Sequence, residues 1–179
     1  MYYTTQYESM IGPMVLASDG GSLVGLWNNP QKYFAATLEC EAATKDDLPV
    51  FVDSKYWLDA YFAGKNPAIS ALPLAPSGNA FRLAVWKELC EIPYGTCVTY
   101  GAIAKDIAKC MHKKSMSSQA VGGAVGHNPI SIIIPCHRVI GANGNLTGYA
   151  GGIDKKIKLL EHEGVDMAKL YIPRKGTAL

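Results

Sequence analysis

The stretch Ile132-Ile133-Ile134-Pro135-Cys136-His137-Arg138-Val139-Ile140 sets a thiol, an imidazole and a guanidinium in the middle of an apolar run. A run of this kind predicts a buried strand, and burying Cys-His-Arg there costs free energy unless each group finds a partner. Pro135 has no N–H for a ladder, so it is expected to end the pairing and turn Cys136 out of the strand. A thiol held at a fixed point on a rigid element is suited to act as a nucleophile.

Upstream of this run the spacing is helical. Phe81, Val85, Trp86 and Leu89 share one face of a helix over 81–90, and Thr99 is placed to cap a second helix reaching about Ala108. A basic stretch, Lys109–Ser115, leads to a short helix over 117–126. The pair resembles a helix-turn-helix unit with a long connection. Ala120, Gly122, Gly123, Ala124 and Gly126 leave one side of the second helix nearly bare. Each helical glycine costs about 1 kcal/mol against alanine, so close approach of another backbone is expected to offset it. Packing within the domain and contact with a nucleic acid both satisfy that expectation. Downstream, Asn143-Gly144 signals a hairpin turn, residues 147–152 form a glycine-rich loop, and a helix runs over 154–163 with Ile157 and Leu160 inward. The loop matches neither G-x-G-x-x-G nor the Walker pattern, which argues against a nucleotide-phosphate cradle.

The first part of the chain has a different pattern. Residues 1–7, 14–18 and 22–27 read as strands, the last two joined at Asp19-Gly20-Gly21. A helix over 52–62, with Val52, Tyr56, Leu58, Tyr61 and Phe62 as its apolar positions, closes at Gly64. Residues 66–78, rich in Pro, Ala and Ser, read as a linker. Domains are therefore expected over 1–78 and 79–167, with a tail over 168–179.

A chain of 179 residues, 49% hydrophobic, is a globular protein rather than a disordered one. No apolar stretch approaches the ~20 residues that span a bilayer, and the N-terminus lacks a leader pattern. The five cysteines show neither a disulfide framework nor a C-x-x-C pair, so free thiols, a cytoplasmic location and no metal are expected. Residues 1–78 hold four Lys/Arg against eight Asp/Glu, and residues 79–179 hold thirteen against seven. The second part is the one suited to a polyanion.

A thiol with a pKa of about 8.5 is mostly protonated at neutral pH and needs a base or a cation nearby. Neighbouring side chains in extended chain point apart, so a bridging water is expected between Cys136 and His137. Glu163 is the candidate to orient the imidazole, because the last turn of a helix otherwise disfavours a negative charge. Singly, each residue has a plainer reading: a buried cysteine, a satisfied core histidine, an exposed glutamate. A phosphatase loop would need arginine where Ala142 stands, and the local signatures of papain-like and caspase-like hydrolases are absent.

The run over 120–139, AVGGAVGHNPISIIIPCHRV, resembles the O6-alkylguanine-DNA alkyltransferases, and the likeness extends over about 81–164 and more weakly to the first domain. It implies a ribonuclease H-like α/β (α+β) domain with an antiparallel sheet, then a mainly helical winged-helix or helix-turn-helix domain. It implies direct, irreversible, single-turnover transfer of an alkyl group from O6 of guanine, with O4 of thymine as a second candidate atom, to Cys136. The spacing of 27 residues from Cys136 to Glu163 fits the family's relay through His137. Asn128 and Tyr100 match catalytic positions; Val139, Tyr149, Ala150 and Val125 match pocket positions. Ser118, Gln119, Ala120, Gly122, Gly123 and Arg138, with Lys113 and Lys114, are the expected DNA contacts. The expected partner is double-stranded DNA carrying O6-alkylguanine, met by a monomer with no cofactor, no membrane and no obligate protein partner. Gln119 stands where the family commonly has arginine, and it carries no charge. Two rivals stay open: a lesion binder without catalysis, against which Cys136 itself argues, and a thiol hydrolase of a small substrate.

Overall fold

The computed structural model describes residues 1–173; the last six positions of the expected tail lie outside the described residues. The fold is mixed α/β and divides into two compact units. The first holds Met1–Gly78 and Pro129–Ile133; the second holds Asn79–Asn128 and the chain from Ile134 onward.

In the first unit, β1 (Tyr2–Ser9), β2 (Gly12–Ser18), β3 (Leu23–Asn28) and β4 (Ala42–Thr44) form one sheet in the order β3-β2-β1-β4. The first three strands are antiparallel, with Tyr3 opposite Ser18 and Leu16 opposite Leu26. The expected turn between β2 and β3 closes because the Asp19 carboxylate accepts from the amides of Gly21 (3.0 Å) and Ser22 (2.7 Å). The three-residue β4 is too short to show a period in sequence; it adds in parallel, with Tyr2 beside Ala42.

Helix α1 (Pro49–Phe62) packs on this sheet, and Gly64, at a φ of +78°, ends it. Its buried face differs from the expected one. Val52 and Tyr56 are 56% and 77% exposed, whereas Phe51, Ser54, Leu58 and Tyr61 are buried. Both sets fit a helical period, and the small Ser54 gave no apolar signal with which to choose the phase. Successive strand residues face opposite ways, so Leu16 and Leu26 lie on one face of the sheet and Ala17 and Trp27 on the other, where Val24, at the register shift opposite Ala17 and Ser18, joins their cluster.

Residues 66–78 are not a free tether along their length. The Leu23 amide donates to Pro73 O (2.8 Å) and the Ala75 amide to Leu23 O (2.9 Å). Leu26 is paired likewise with Pro129 and Ser131. Both segments thus occupy backbone groups of β3 that an edge strand would leave unpaired.

In the second unit, α2 (Ala80–Cys90), α3 (Tyr100–Cys110) and α4 (Ser118–Gly126) pack against one another. The helix starts are set by side-chain caps from Asn79, Thr99 and Ser117. The Trp86 indole N–H donates to Ala124 O at 2.8 Å, joining α2 to α4 within the core. Strands β5 (Val98–Thr99) and β6 (Val139–Ile140) pair in parallel, and α5 (Ile153–His162) follows. The Asn143-Gly144 turn forms, with φ of 58° and 83°, but no β-hairpin flanks it. Residue Tyr171 instead returns beside Asn145, its amide donating to Gly144 O at 3.0 Å.

Candidate active site

The apolar run before the thiol is not a strand. Only Ile130 makes a β-bridge, to Leu26, and residues 131–133 form a turn in which Ile132 has a φ of 69°. Proline at 129 and 135 deprives both ends of the run of a ladder N–H, and past the Ser131 amide, which donates to Leu26 O, the amides of Ile133 and Cys136 bond locally. The Cys136 amide donates to Ile134 O at 2.8 Å, and Cys136–Arg138 form a 3₁₀ turn. The strand β6 comes after the thiol rather than before it.

That turn presents His137 and Arg138 together to the end of α5. His137 is fully buried, and its Nε2 lies 2.7 Å from Glu163 Oε1. A carboxylate only accepts, so Nε2 carries the proton, and Nδ1 is the basic nitrogen of the neutral ring. Burial holds the His137 pKa below its ordinary value despite the favourable glutamate. Arg138 Nε donates to Glu163 Oε2 (2.9 Å) and its terminal nitrogen to Oε1 (3.0 Å), so the carboxylate charge is already shared with a guanidinium. Burial opposes ionisation of Glu163, but hydrogen bonds from His137, Arg138 and the Gly95 amide outweigh it and hold the carboxyl well below the usual range.

Two features of this network correct or extend the sequence expectations. Arg138, expected at the DNA surface, is buried: besides Glu163 it donates to Ile92 O (2.6 Å) and lies over the Tyr94 ring, 5.6 Å from its centroid. A buried carboxylate needs a permanent counter-charge, and the adjacent arginine supplies it. Gly95 has a role that its place in a turn did not reveal. It has a φ of +73°, and a Cβ there would sit 2.9 Å from the backbone carbonyl oxygen of Glu163, so a larger side chain would force apart the two segments that bring the Gly95 amide to the carboxylate.

The Cys136 thiol is buried, which raises its pKa, while a hydrogen bond with the Asn128 side chain and the charge of Lys156 act the other way. Asn128 is itself fixed, its Nδ2 donating to Ile134 O at 2.8 Å. Sequence reasoning missed Lys156. It is fully buried, and its ammonium donates to Val139 O (2.5 Å), Thr147 O (2.8 Å) and Gly148 O (3.3 Å). Burial pushes its pKa down to about 8. A signal was present, since Ile153, Lys156, Ile157 and Leu160 share one helical face, and a lysine on an apolar stripe calls for buried acceptors.

Tyr100, the first residue of α3, reaches the same loop: its hydroxyl donates to Thr147 O at 3.2 Å. Burial raises its pKa, so it stays protonated at neutral pH and can act as a donor. An open groove of about 450 Å³ is lined by Tyr100, Ser118, Gln119, Gly122, Thr147 and Gly148 among others. Cys136 does not line it, and Val125, Val139 and Tyr149 are buried while Ala150 is half-buried. Lys113 and Lys114 are exposed and line a different groove.

On α4, Ser118, Gln119, Ala120 and Gly123 are exposed, while Val121, Ala124 and Val125 face inward. A Cβ added at Gly123 or Gly126 would meet nothing within 4 Å, and one at Gly122 would meet only Tyr100, at ordinary contact distance. Packing within the protein therefore does not require these glycines.

The 6-O-methylguanine DNA methyltransferase family models match the chain twice, as a ribonuclease-like domain over residues 1–76 and a DNA binding domain over residues 80–165. A methylated-DNA–protein-cysteine methyltransferase of Methanosarcina acetivorans is 45% identical, covering 92% of this chain and 99% of its own length. One from Haemophilus influenzae is 40% identical, covering 91% and 87%. Among solved structures, Mycobacterium tuberculosis O6-methylguanine methyltransferase superposes with a TM-score of 0.77 at 39% identity, covering 98% of this chain and 97% of that one. The M. tuberculosis OGT in complex with DNA gives 0.77 at 41% identity, covering 90% and 92%.

Proposed function

The chain belongs to the 6-O-methylguanine DNA methyltransferase family, and we propose that it repairs DNA by moving a methyl or other alkyl group irreversibly from O6 of guanine to Cys136. The observation that carries the assignment to this cysteine is the buried His137–Glu163 pair, 2.7 Å apart, with His137 on the same turn as a buried thiol and Glu163 at the end of α5.

The chemistry follows from the resting protonation states. Cys136 rests as a thiol and His137 as a neutral base, so the thiol proton passes to the Nδ1 side of the imidazole as the sulfur attacks. Glu163 and Arg138 act through His137: the carboxylate holds the ring in one tautomer, and the guanidinium keeps that carboxylate ionised. Asn128 and Lys156 lower the cost of the thiolate in a dry site. The S–C bond forms as the O6–C bond breaks. Tyr100 gives its hydroxyl proton to the guanine, which stays in the DNA, and the thiol proton taken up by His137 restores the phenol, so that one proton passes in net from sulfur to guanine. A thioether has no carbonyl for water to attack, so the protein is consumed after one turnover.

A guanine inside a duplex cannot present O6 to a buried sulfur. Extrusion costs a few kcal/mol, less for a weakly paired damaged base. The open face of α4, bare at Gly123 and Gly126, suits close approach to a minor-groove backbone, with Ser118, Gln119 and Ala120 at the contact. In this reading residues 79–167 carry DNA binding and transfer, and residues 1–78 serve as scaffold. All five cysteines are free thiols, which a reducing cytoplasm preserves.

Mass spectrometry after incubation with duplex DNA containing O6-methylguanine should find one methyl per chain, on Cys136 alone. Clearance of the lesion by Cys136→Ser would overturn the assignment.

A further inference from the structure

Helix α4 carries no charged residue, and Gln119 adds none at its exposed end. The long-range attraction of a duplex depends on cations placed near its phosphates, so in this molecule it must come from elsewhere. A second open groove, also about 450 Å³, lies between α3 and the 111–117 connection. Lys105, Lys109, Lys113 and Lys114 line it over a floor that includes Ala104 and Ala108. All four lysines are exposed. Asp106 pairs with Lys109 at 2.8 Å, while Lys105, Lys113 and Lys114 have no ion-pair partner among the described residues. Gly101 and Ser118 line both this groove and the one beside Tyr100 and Gly122.

We infer that the lysine groove holds the phosphodiester backbone of the DNA strand flanking the extruded nucleotide. This rests on the alkyl-transfer reading and adds to it the surface that binds the flank. The shared rim at Gly101 and Ser118 makes the two grooves one track: a strand with a nucleotide at the first passes into the second. Small floor residues let the backbone lie close, and unpaired ammonium groups meet successive phosphates. The groove supplies the charge that α4 and Gln119 lack.

Binding to an O6-methylguanine duplex, measured across a series of salt concentrations, tests this. For the Lys105→Ala/Lys113→Ala/Lys114→Ala variant the slope of log affinity against log salt becomes shallower by about 2 to 3, close to one phosphate per lysine. Adduct formation at subsaturating duplex falls in step. Adduct formation with the free O6-methylguanine base, which has no phosphate, is the reference. An unchanged slope overturns the inference, as does an equal fall on free base and duplex, which would mean that the lysines act on the fold. Removal of Lys32, Lys45 and Lys65 withdraws the same charge from the first unit; an equal change of slope there would also overturn it. Failure of the unaltered chain to form a free-base adduct would instead count against Cys136, with the salt slope still deciding the groove.

Discussion

The interiors of the two units are built from different materials. In the first, the buried polar side chains are Thr5, Ser18, Asn28, Ser54 and Ser131, none of them ionisable in the physiological range. In the second they include His137, Arg138, Lys156 and Glu163, within a turn and one helix of each other. A buried ion pair is weak support for a fold, because desolvation consumes much of what the attraction returns. The second unit therefore carries charges that an apolar core of the same volume would not need. Under the proposed transfer the difference has a reason: the buried charge stands where a proton and a sulfur have to be managed.

Substitutions in the two interiors should separate stability from chemistry. Glu163→Gln leaves the Arg138 guanidinium buried without its counter-ion; a loss of about 3–5 kcal/mol by denaturant unfolding is expected. Adduct formation should fall with it even under conditions where the variant is folded. Intact transfer in folded Glu163→Gln would mean that the network is structural only. Leu58→Ala, in the apolar interior, should cost about 2–5 kcal/mol, yet leave the free-base reaction rate per folded molecule unchanged. A matching loss of rate would erase the contrast between the units.

Acid should act on the units unequally. The folded His137 pKa lies below its ordinary 6.5, so as pH falls through that value the unfolded chain takes up a proton that the folded chain refuses, and stability declines. The first unit contains no histidine, since the four stand at 112, 127, 137 and 162. Glu163, with its pKa lowered, adds its own loss only at pH values below its ordinary 4.5. Native-state hydrogen exchange between about pH 7 and 5.5 should show protection falling first in the second unit. Uniform loss would contradict this. The smallest effect is expected outside both interiors: Gln119→Arg should leave transfer intact and strengthen duplex binding modestly. A large loss of repair would show that α4 does not face DNA as described.

Much of the site was legible because reactive residues in an apolar run are costly and therefore informative. Cys136 and His137 stand out by that argument, and Glu163 by its place in the last turn of a helix, where a negative charge is disfavoured. The helix ends were legible for a similar reason, since Thr99 and Ser117 are side chains that satisfy exposed amides. Arg138 could not be placed from sequence: arginine suits a phosphate and a buried carboxylate equally, and only the fold brings Glu163 within 3.0 Å of it. The phase of α1 was ambiguous because two apolar stripes overlap, and burial chose the one containing Ser54.

The sequence alone determined the first three strands, the succession of helices, the charge asymmetry and which thiol stands among polar neighbours in an apolar run, all of which depend on local pattern and residue chemistry. Tertiary structure decided which of the buried groups meet. The Gly95 amide, the Arg138 fork and the Lys156 ammonium reach their acceptors across 68, 25 and 17 residues of chain. No period of a strand or helix encodes such distances; the closing of the backbone around desolvated charges does.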